Sequence, residues 1–371
     1  MDGRISRPRQ VTLLLPSDCE RYTGGYIWES RVARELRELS WTVDERDLPP
    51  GFPHPGPAAR AGSAKVLAGF PDGALILSES YATSTIPEVL AVEAHRLRLV
   101  TIVHHPFADE SDLPAGERRL MAARECESLR HLVHVIVPSR LTGASLARGC
   151  GVPPARLTLA CPGTDPAPLA RGSQDAEIQL LAVGAVIPRK DHLALVEALG
   201  TMPELPWRLR VVGNVARFPE TVRAVRERAA ALGIAGRVEL AGELSPREVA
   251  AARDRTDLQV SASRHEGYGM ALAEGVACGL PTVAVAGGAV AEWLTPEAAL
   301  LTASGDAAGL AAALRRAIAD DALRARLREG ALRLRERLPT WRSAALAVER
   351  ALLRAMEAPS PISGPIAVSA E

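Results

Sequence analysis

Short apolar runs alternate with longer amphipathic stretches along the chain. Residues 11–15, 74–77, 99–103 and 132–137 are such runs, each followed by polar residues and then by a helical pattern. The first leads through a loop at 16–25 into a helical segment at 26–39 and a strand at 42–46. Brief buried runs separated by amphipathic helices are what parallel strands and their crossover helices look like in sequence.

Residues 161–174, CPGTDPAPLARGSQ, break the alternation with turn signals and no periodicity, and read as a linker. The pattern then restarts, with strands expected at 178–183, 208–212, 238–241, 258–260 and 282–285. Two successive βαβ arrays of similar size therefore share the chain. Residues 310–338 read as one helix, 339–341 as an interruption, and 343–357 as a further helix. The Pro-, Ser- and Ala-rich end, 358–371, is expected to be disordered. The predicted fold is α/β, two Rossmann-like domains at 1–165 and 166–340.

Composition narrows the partners. The 371 residues include 44 Lys+Arg and 44 Asp+Glu, a formal net charge of zero, so nothing points to a polyanion such as nucleic acid. Cys19, Cys126, Cys150, Cys161 and Cys278 are odd in number and scattered without a Cys-x-x-Cys, which argues against a disulfide framework or structural zinc and for a reducing cytoplasm. Residues 1–10 do not read as a signal peptide, and the apolar segment 270–291 is interrupted by Glu274, Gly275, Gly279 and Pro281, so no transmembrane helix is expected. Peripheral attachment to a membrane's inner face stays open. Arg31, Arg34 and Arg37 interleave with Glu29, Glu35 and Glu38, which favours a solvated face over a lipid-binding one.

The most informative stretch is residues 263–286, SRHEGYGMALAEGVACGLPTVAVA. A strand leads through Glu266-Gly267-Tyr268-Gly269 into a helix expected to begin near Met270 and Ala271. Gly267 and Gly269 admit positive φ and close approach of a ligand. The free N–H groups of the helix start suit a diphosphate. Glu266 and Glu274 are poor phosphate ligands but good acceptors for sugar hydroxyls, so one could hold a ribose and the other a hexose; either could equally be a helix cap or dipole partner.

Other segments sit where ligands bind in α/β sheets. Gly184 follows a strand, and Arg189 and Lys190 open the next helix, as phosphate-gripping groups or as a solvated pair. Gly24 and Gly25 follow the first strand without the G-x-G-x-x-G spacing of a dinucleotide site. His104 and His105 close a strand; adjacent in extended chain, they point oppositely and cannot easily ligate one metal. Ser139 reads as a helix N-cap, and Gly288 as a residue at the nucleotide edge.

The Glu266-x7-Glu274 spacing, with Gly-Tyr-Gly between and Ala-Cys-Gly-Leu-Pro after it, resembles the signature of retaining glycosyltransferases of the GT-B fold, family 4. The resemblance covers about residues 11–357. It implies that Glu274 bonds the donor ribose, that Glu266 lies by the donor sugar, and that the Tyr268–Met270 backbone meets sugar and phosphates. Arg189 and Lys190 match the family's pyrophosphate grip, though Ala185 stands where many members have Arg and Asp191 where Gly is common. Gly24-Gly25 matches the family's glycine loop, and His104, with His105 as alternate, its histidine near the donor sugar. The helix after Trp341 matches the family's last helix, which crosses back to the first, acceptor-binding domain; the active site is expected in the interdomain cleft.

The implied reaction moves a hexose-type sugar from a nucleoside-diphosphate sugar to an acceptor, a small molecule, a glycan or a lipid-linked carrier, with retention. No Asp-x-Asp motif is present, so no metal is expected to be required. An epimerase or hydrolase on the same scaffold, or an inert sugar-nucleotide-binding subunit, are the competing readings.

Overall fold

A computed structural model describes residues 8–19 and 23–358. The expected disorder of the chain end falls, beyond Ala358, outside the described residues. The chain divides into two compact units. The first gathers Met1–Asp109, Pro114–Gly163 and Trp341–Glu371, and the second Glu110–Leu113 and Thr164–Thr340.

The first unit runs β1 (Gln10–Pro16), α1 (Gly24–Glu38), β2 (Thr42–Leu48), α2 (Pro57–Ala68), β3 (Leu75–Glu79), α3 (Ser80–Thr83), α4 (Pro87–Glu93), β4 (Arg98–Ile102), α5 (Ala115–Arg130), β5 (His134–Val137), α6 (Arg140–Cys150) and β6 (Leu157–Leu159). All strands pair in parallel, in the order β2-β1-β3-β4-β5-β6. The second unit runs β7 (Ile178–Val183), α7 (His192–Gly200), β8 (Trp207–Val212), α8 (Pro219–Ala231), β9 (Val238–Gly242), α9 (Pro246–Asp254), β10 (Leu258–Ser261), α10 (Met270–Ala277), β11 (Thr282–Val285), β12 (Ala299–Thr302), α11 (Ala307–Ala319) and α12 (Asp321–Arg335). Its parallel order is β12-β11-β10-β7-β8-β9. The final helix, α13 (Trp341–Glu357), belongs to the first unit.

Each sheet therefore has a point where its winding reverses, between β1 and β3 in the first and between β7 and β10 in the second. Connections leave such strands in opposite directions and open a crevice at their carboxyl ends, where ligands of open α/β sheets bind.

Strands β1, β3, β4, β5, β10 and β11 are buried along nearly their whole length, as parallel strands covered on both faces are. Val11, Leu13, Leu14, Ile76, Leu99 and Ile136 are buried in the first sheet, and Leu180, Leu181, Leu209, Val260 and Val283 in the second. Helix α13 buries Ala344, Ala347, Val348, Ala351, Leu352 and Ala355, one face at helical spacing. Its Glu349 receives Arg9 at 2.8 Å and the Trp41 Nε1–H at 3.1 Å.

Three expectations need correction. The helix expected over 310–338 is two helices, because Asp320 adopts extended backbone and its carboxylate accepts the Leu323 N–H at 2.8 Å, an N-cap that ends α11 and starts α12. Helix α13 begins at Trp341, not 343. Cys126 and Cys150 form a disulfide although the scattered cysteines argued against one; α5 and α6 pack together and bring residues 24 apart into contact. Two short strands, β6 and β12, carried no run long enough to be expected.

Gly330 in α12 lies so close to the backbone of Glu297 that an added Cβ would stand 1.8 Å from its carbonyl oxygen. Gly330→Ala is expected to destabilise the protein by about 1–3 kcal/mol through that clash, despite alanine's helix preference of about 1 kcal/mol. A melting temperature equal to or above the parent's would contradict this.

Candidate functional site

In the second unit, the segments after β7 and β10 meet at the reversal point. Gly184 ends β7, and an added Cβ there would press on Lys190 Cε at 3.1 Å, so the missing side chain leaves room for the lysine to lie across the strand end. Lys190 Nζ donates to Glu266 Oε1 at 2.5 Å. Arg189 Nη1 donates to the His265 carbonyl at 2.9 Å and stands 3.9 Å from Glu266 Oε2. Burial pushes the Glu266 carboxyl up, but Lys190 and Arg189 outweigh it and hold the group at about 2. The neighbouring His192 is brought to about 4 by its own burial and by Lys190, so it stays neutral beside the pair. Within the same unit Arg189 also faces carboxylates of the 110–113 segment: its backbone N–H reaches Asp112 Oδ1 at 2.5 Å, and its Nε is 3.5 Å from Glu110.

Asp191, where the resembling family commonly has glycine, adopts φ +48, the left-handed region that favours glycine and that Asp tolerates. Its carboxylate caps α7 at Ala194 and accepts from Arg264 Nε at 2.7 Å. The departure thus keeps the backbone and adds a cap.

Gly269 is the N-cap of α10 at φ +97 and offers no side chain to the first N–H groups of the helix. The backbone amides of Met270 and Ala271 therefore open toward the crevice lined by Val183, Ser261, Glu266 and Gly269. Gly267 and Tyr268 lie in the loop between, with Tyr268 buried and stacked on Trp293 at 5.5 Å. The Trp293 Nε1–H donates to the Tyr268 carbonyl at 2.8 Å. Glu274, one turn into α10, is gripped by Arg253 of α9, a partner the sequence did not single out. Gly288 holds the loop from behind: an added Cβ would meet the Glu266 carbonyl oxygen at 2.2 Å, and Glu266 bonds Gly287 and Ala289 through its backbone at 3.2 and 2.8 Å. Its place beneath the loop is scaffolding.

In the first unit, Thr23 caps α1 by accepting the Tyr26 N–H at 3.3 Å, and Gly24 and Gly25 form the first turn. Gly25 faces the reversal point: an added Cβ would lie 3.2 Å from Glu79 Oε1 and 3.3 Å from His104 Nε2. His104 follows β4, packs edge-on against Trp28 at 5.7 Å, and its Nε2 meets Glu29 Oε1 at 2.8 Å. Burial raises the carboxyls of Glu29 and Glu79, the latter to about 8, with Glu29 pushing Glu79 further up and His104 opposing. Burial lowers the His104 imidazole, so it is neutral near pH 7. Glu79 was not foreseen, and Glu29, expected on a solvated face with Glu35 and Glu38, is instead 1% exposed because it lies on the face of α1 that packs inward with Trp28, Val32 and Leu36. His105 is half-buried and outside the group formed by Glu29, Glu79 and His104. Ser139 caps α6, accepting the Thr142 N–H at 3.1 Å.

Known proteins resemble this chain in sequence and in fold. Residues 169–333 match the family model described as Glycosyl transferases group 1. That match lies within the second unit. Two relatives, each named D-inositol 3-phosphate glycosyltransferase, are 32% identical: that of Xylanimonas cellulosilytica over 244 residues, 63% of this chain, and that of Stackebrandtia nassauensis over 200 residues, 48% of this chain. The matches span 58% and 44% of those relatives' own lengths. Among solved structures, sucrose-phosphate synthase of Thermosynechococcus elongatus superimposes with TM-score 0.77 at 21% identity, covering 92% of this chain and 98% of that one. The Anabaena protein HepE, in complex with UDP-glucose, gives TM-score 0.75 at 16% identity over 93% and 99%. At these identities the likeness to solved structures speaks for the fold. Among the described residues, no helix is long and apolar enough to cross a membrane.

The two groups of carboxylates respond to pH with opposite sign. Glu266 sits at about 2 against an ordinary 4.5, so its ion pair adds stability above about pH 4.5 that is lost as pH falls toward 2. Glu79, raised from 4.5 to about 8, costs nothing while protonated below about pH 4.5, and stability is lost as pH rises through 8. Glu266→Gln should therefore cost about 2–4 kcal/mol at neutral pH, a deficit that shrinks below about pH 4. Glu79→Gln should be close to neutral at about pH 5 and stabilising at about pH 9. Melting curves across that range test both; a Glu266→Gln deficit constant with pH would contradict the first.

Proposed function

We propose that this chain is a retaining glycosyltransferase that moves a hexose-type sugar from a nucleoside-diphosphate sugar to an acceptor. The observation that carries the reading is the uncapped start of α10 beside Arg189 and Lys190, at the reversal point of a Glycosyl transferases group 1 domain. Open helix N–H groups and two cations converge where a diphosphate would bind. In this reading Glu274, which pairs with Arg253, accepts from ribose hydroxyls, and Glu266 accepts from the donor sugar. The HepE complex with UDP-glucose supports the donor class.

In this mechanism the protein positions and stabilises charge. Arg189, Lys190 and the amides of Met270 and Ala271 hold the departing phosphate, whose own oxygen accepts the acceptor's proton as the new bond forms on the face the leaving group vacates. Charge on the leaving group is met by fixed groups, so transfer needs no metal. Activity should be unchanged by EDTA; loss on chelation with recovery on adding manganese would contradict this.

Titration with UDP, GDP and ADP by calorimetry tests the donor site. One nucleotide should bind selectively, and Glu274→Ala should weaken it about tenfold, the cost of one hydrogen bond to a charged group, roughly 1.5–3 kcal/mol. Equal binding by the variant, or none by the parent, would reject the assignment.

A further inference from the structure

Glu29, Glu79 and His104 come from three elements of the first unit, α1, the end of β3 and the segment after β4, yet each brings one ligand-type atom to within 4.8 Å of the others. Glu29 is 1% exposed, and its Oε2 is buried with no hydrogen-bond partner. A buried carboxylate oxygen left unpaired costs free energy that a ligand donor would recover. Among the described residues, the charges acting on Glu79 are Glu29 and His104, and neither is a Lys or Arg. The field extends further, because Cys19 feels Glu79, Glu29 and Asp47, all of one sign. Gly25 lies against the group, where an added Cβ would stand 3.2 Å from Glu79 Oε1 and 3.3 Å from His104 Nε2.

Such a set suits one ligand group best. A phosphate would find no cation here among the described residues, and its own charge would hold the protons on both carboxyls, so nothing would offset that charge. An ammonium carries three donors and no acceptor, matching three acceptors. Acceptors at about 2.8 Å around an ammonium nitrogen stand about 4.6 Å apart, so Glu29 Oε1 and His104 Nε2, which lie 2.8 Å from each other, would have to separate.

We propose that Glu29, Glu79 and His104 form an acceptor subsite for a polyhydroxylated molecule bearing a protonated amine, and that this subsite rejects phosphorylated acceptors. The proposal rests on the transferase reading. It sets this chain apart from the two relatives named for inositol 3-phosphate. The amine would displace the Glu29–His104 contact, and its positive charge would drive the protons that burial keeps on Glu29 and Glu79 out to solvent, so that both meet it as anions and His104 as a neutral acceptor.

The test measures transfer at about pH 7 from the sugar of whichever nucleotide binds selectively, with EDTA present so that no divalent cation can fill the subsite. Two matched acceptor sets are used: glucosamine, glucose and glucose 6-phosphate; and scyllo-inosamine, myo-inositol and myo-inositol 3-phosphate. The amine of at least one set should show kcat/KM about tenfold or more above the alcohol, with the phosphate ester lowest. Glu79→Gln should reduce the amine's advantage to about twofold, while Glu79→Asp, which keeps the charge, retains most of it. Preference for a phosphate ester, equal use of amine and alcohol, an amine advantage unchanged in Glu79→Gln, or use of none of the six overturns the proposal. Nucleotide binding in the same samples separates the two readings: without it the transferase reading fails, whereas with it a wrong acceptor order rejects only the subsite.

Discussion

The Lys190–Glu266 ion pair is the constraint on which the second unit's site depends. A carboxylate taken out of water must be met by charge and hydrogen bonds, and one partner alone would be left costly and buried. The pair can form only if the segment after β7 and the segment after β10 reach the same point, which the strand order with β7 beside β10 provides. Gly184 clears the path of the lysine, and Gly287 and Gly288 let the Glu266 backbone settle onto the chain leaving β11. Once Glu266 is fixed, the Gly269 turn and the start of α10 follow within a few residues.

The first unit solves a similar geometric problem with the opposite electrostatics. It too brings side chains together at the reversal of its sheet, but among the described residues Glu29 and Glu79 meet no arginine or lysine, and burial favours their protonated forms. A formal charge of zero for the whole chain conceals this asymmetry. One unit presents cations and amides suited to a diphosphate, the other carboxylates suited to donors.

Much of this was legible in sequence because it is local. The strands of both sheets are short apolar runs, and the loop from Glu266 to Met270 carries its chemistry in consecutive residues. Glu29, Glu79 and Arg253 were not legible, because their significance lies in partners 75 and 21 positions away for Glu29 and Arg253, and across three elements for Glu79. The α11–α12 break was hidden because Asp320 looks like one more polar face residue until its extended backbone makes it a cap. The Cys126–Cys150 bond was hidden for the same reason as Glu29: spacing in sequence says little about which helices lie side by side.

Helix α13 gives the chain an order of completion. Its apolar face packs in the first unit, yet it is encoded after the whole of the second. During synthesis the β1–β6 sheet must wait, with the surface destined for α13 still open to water, while the β7–β12 sheet is made and can close on itself. The first part of the protein to be translated is thus the last to be finished.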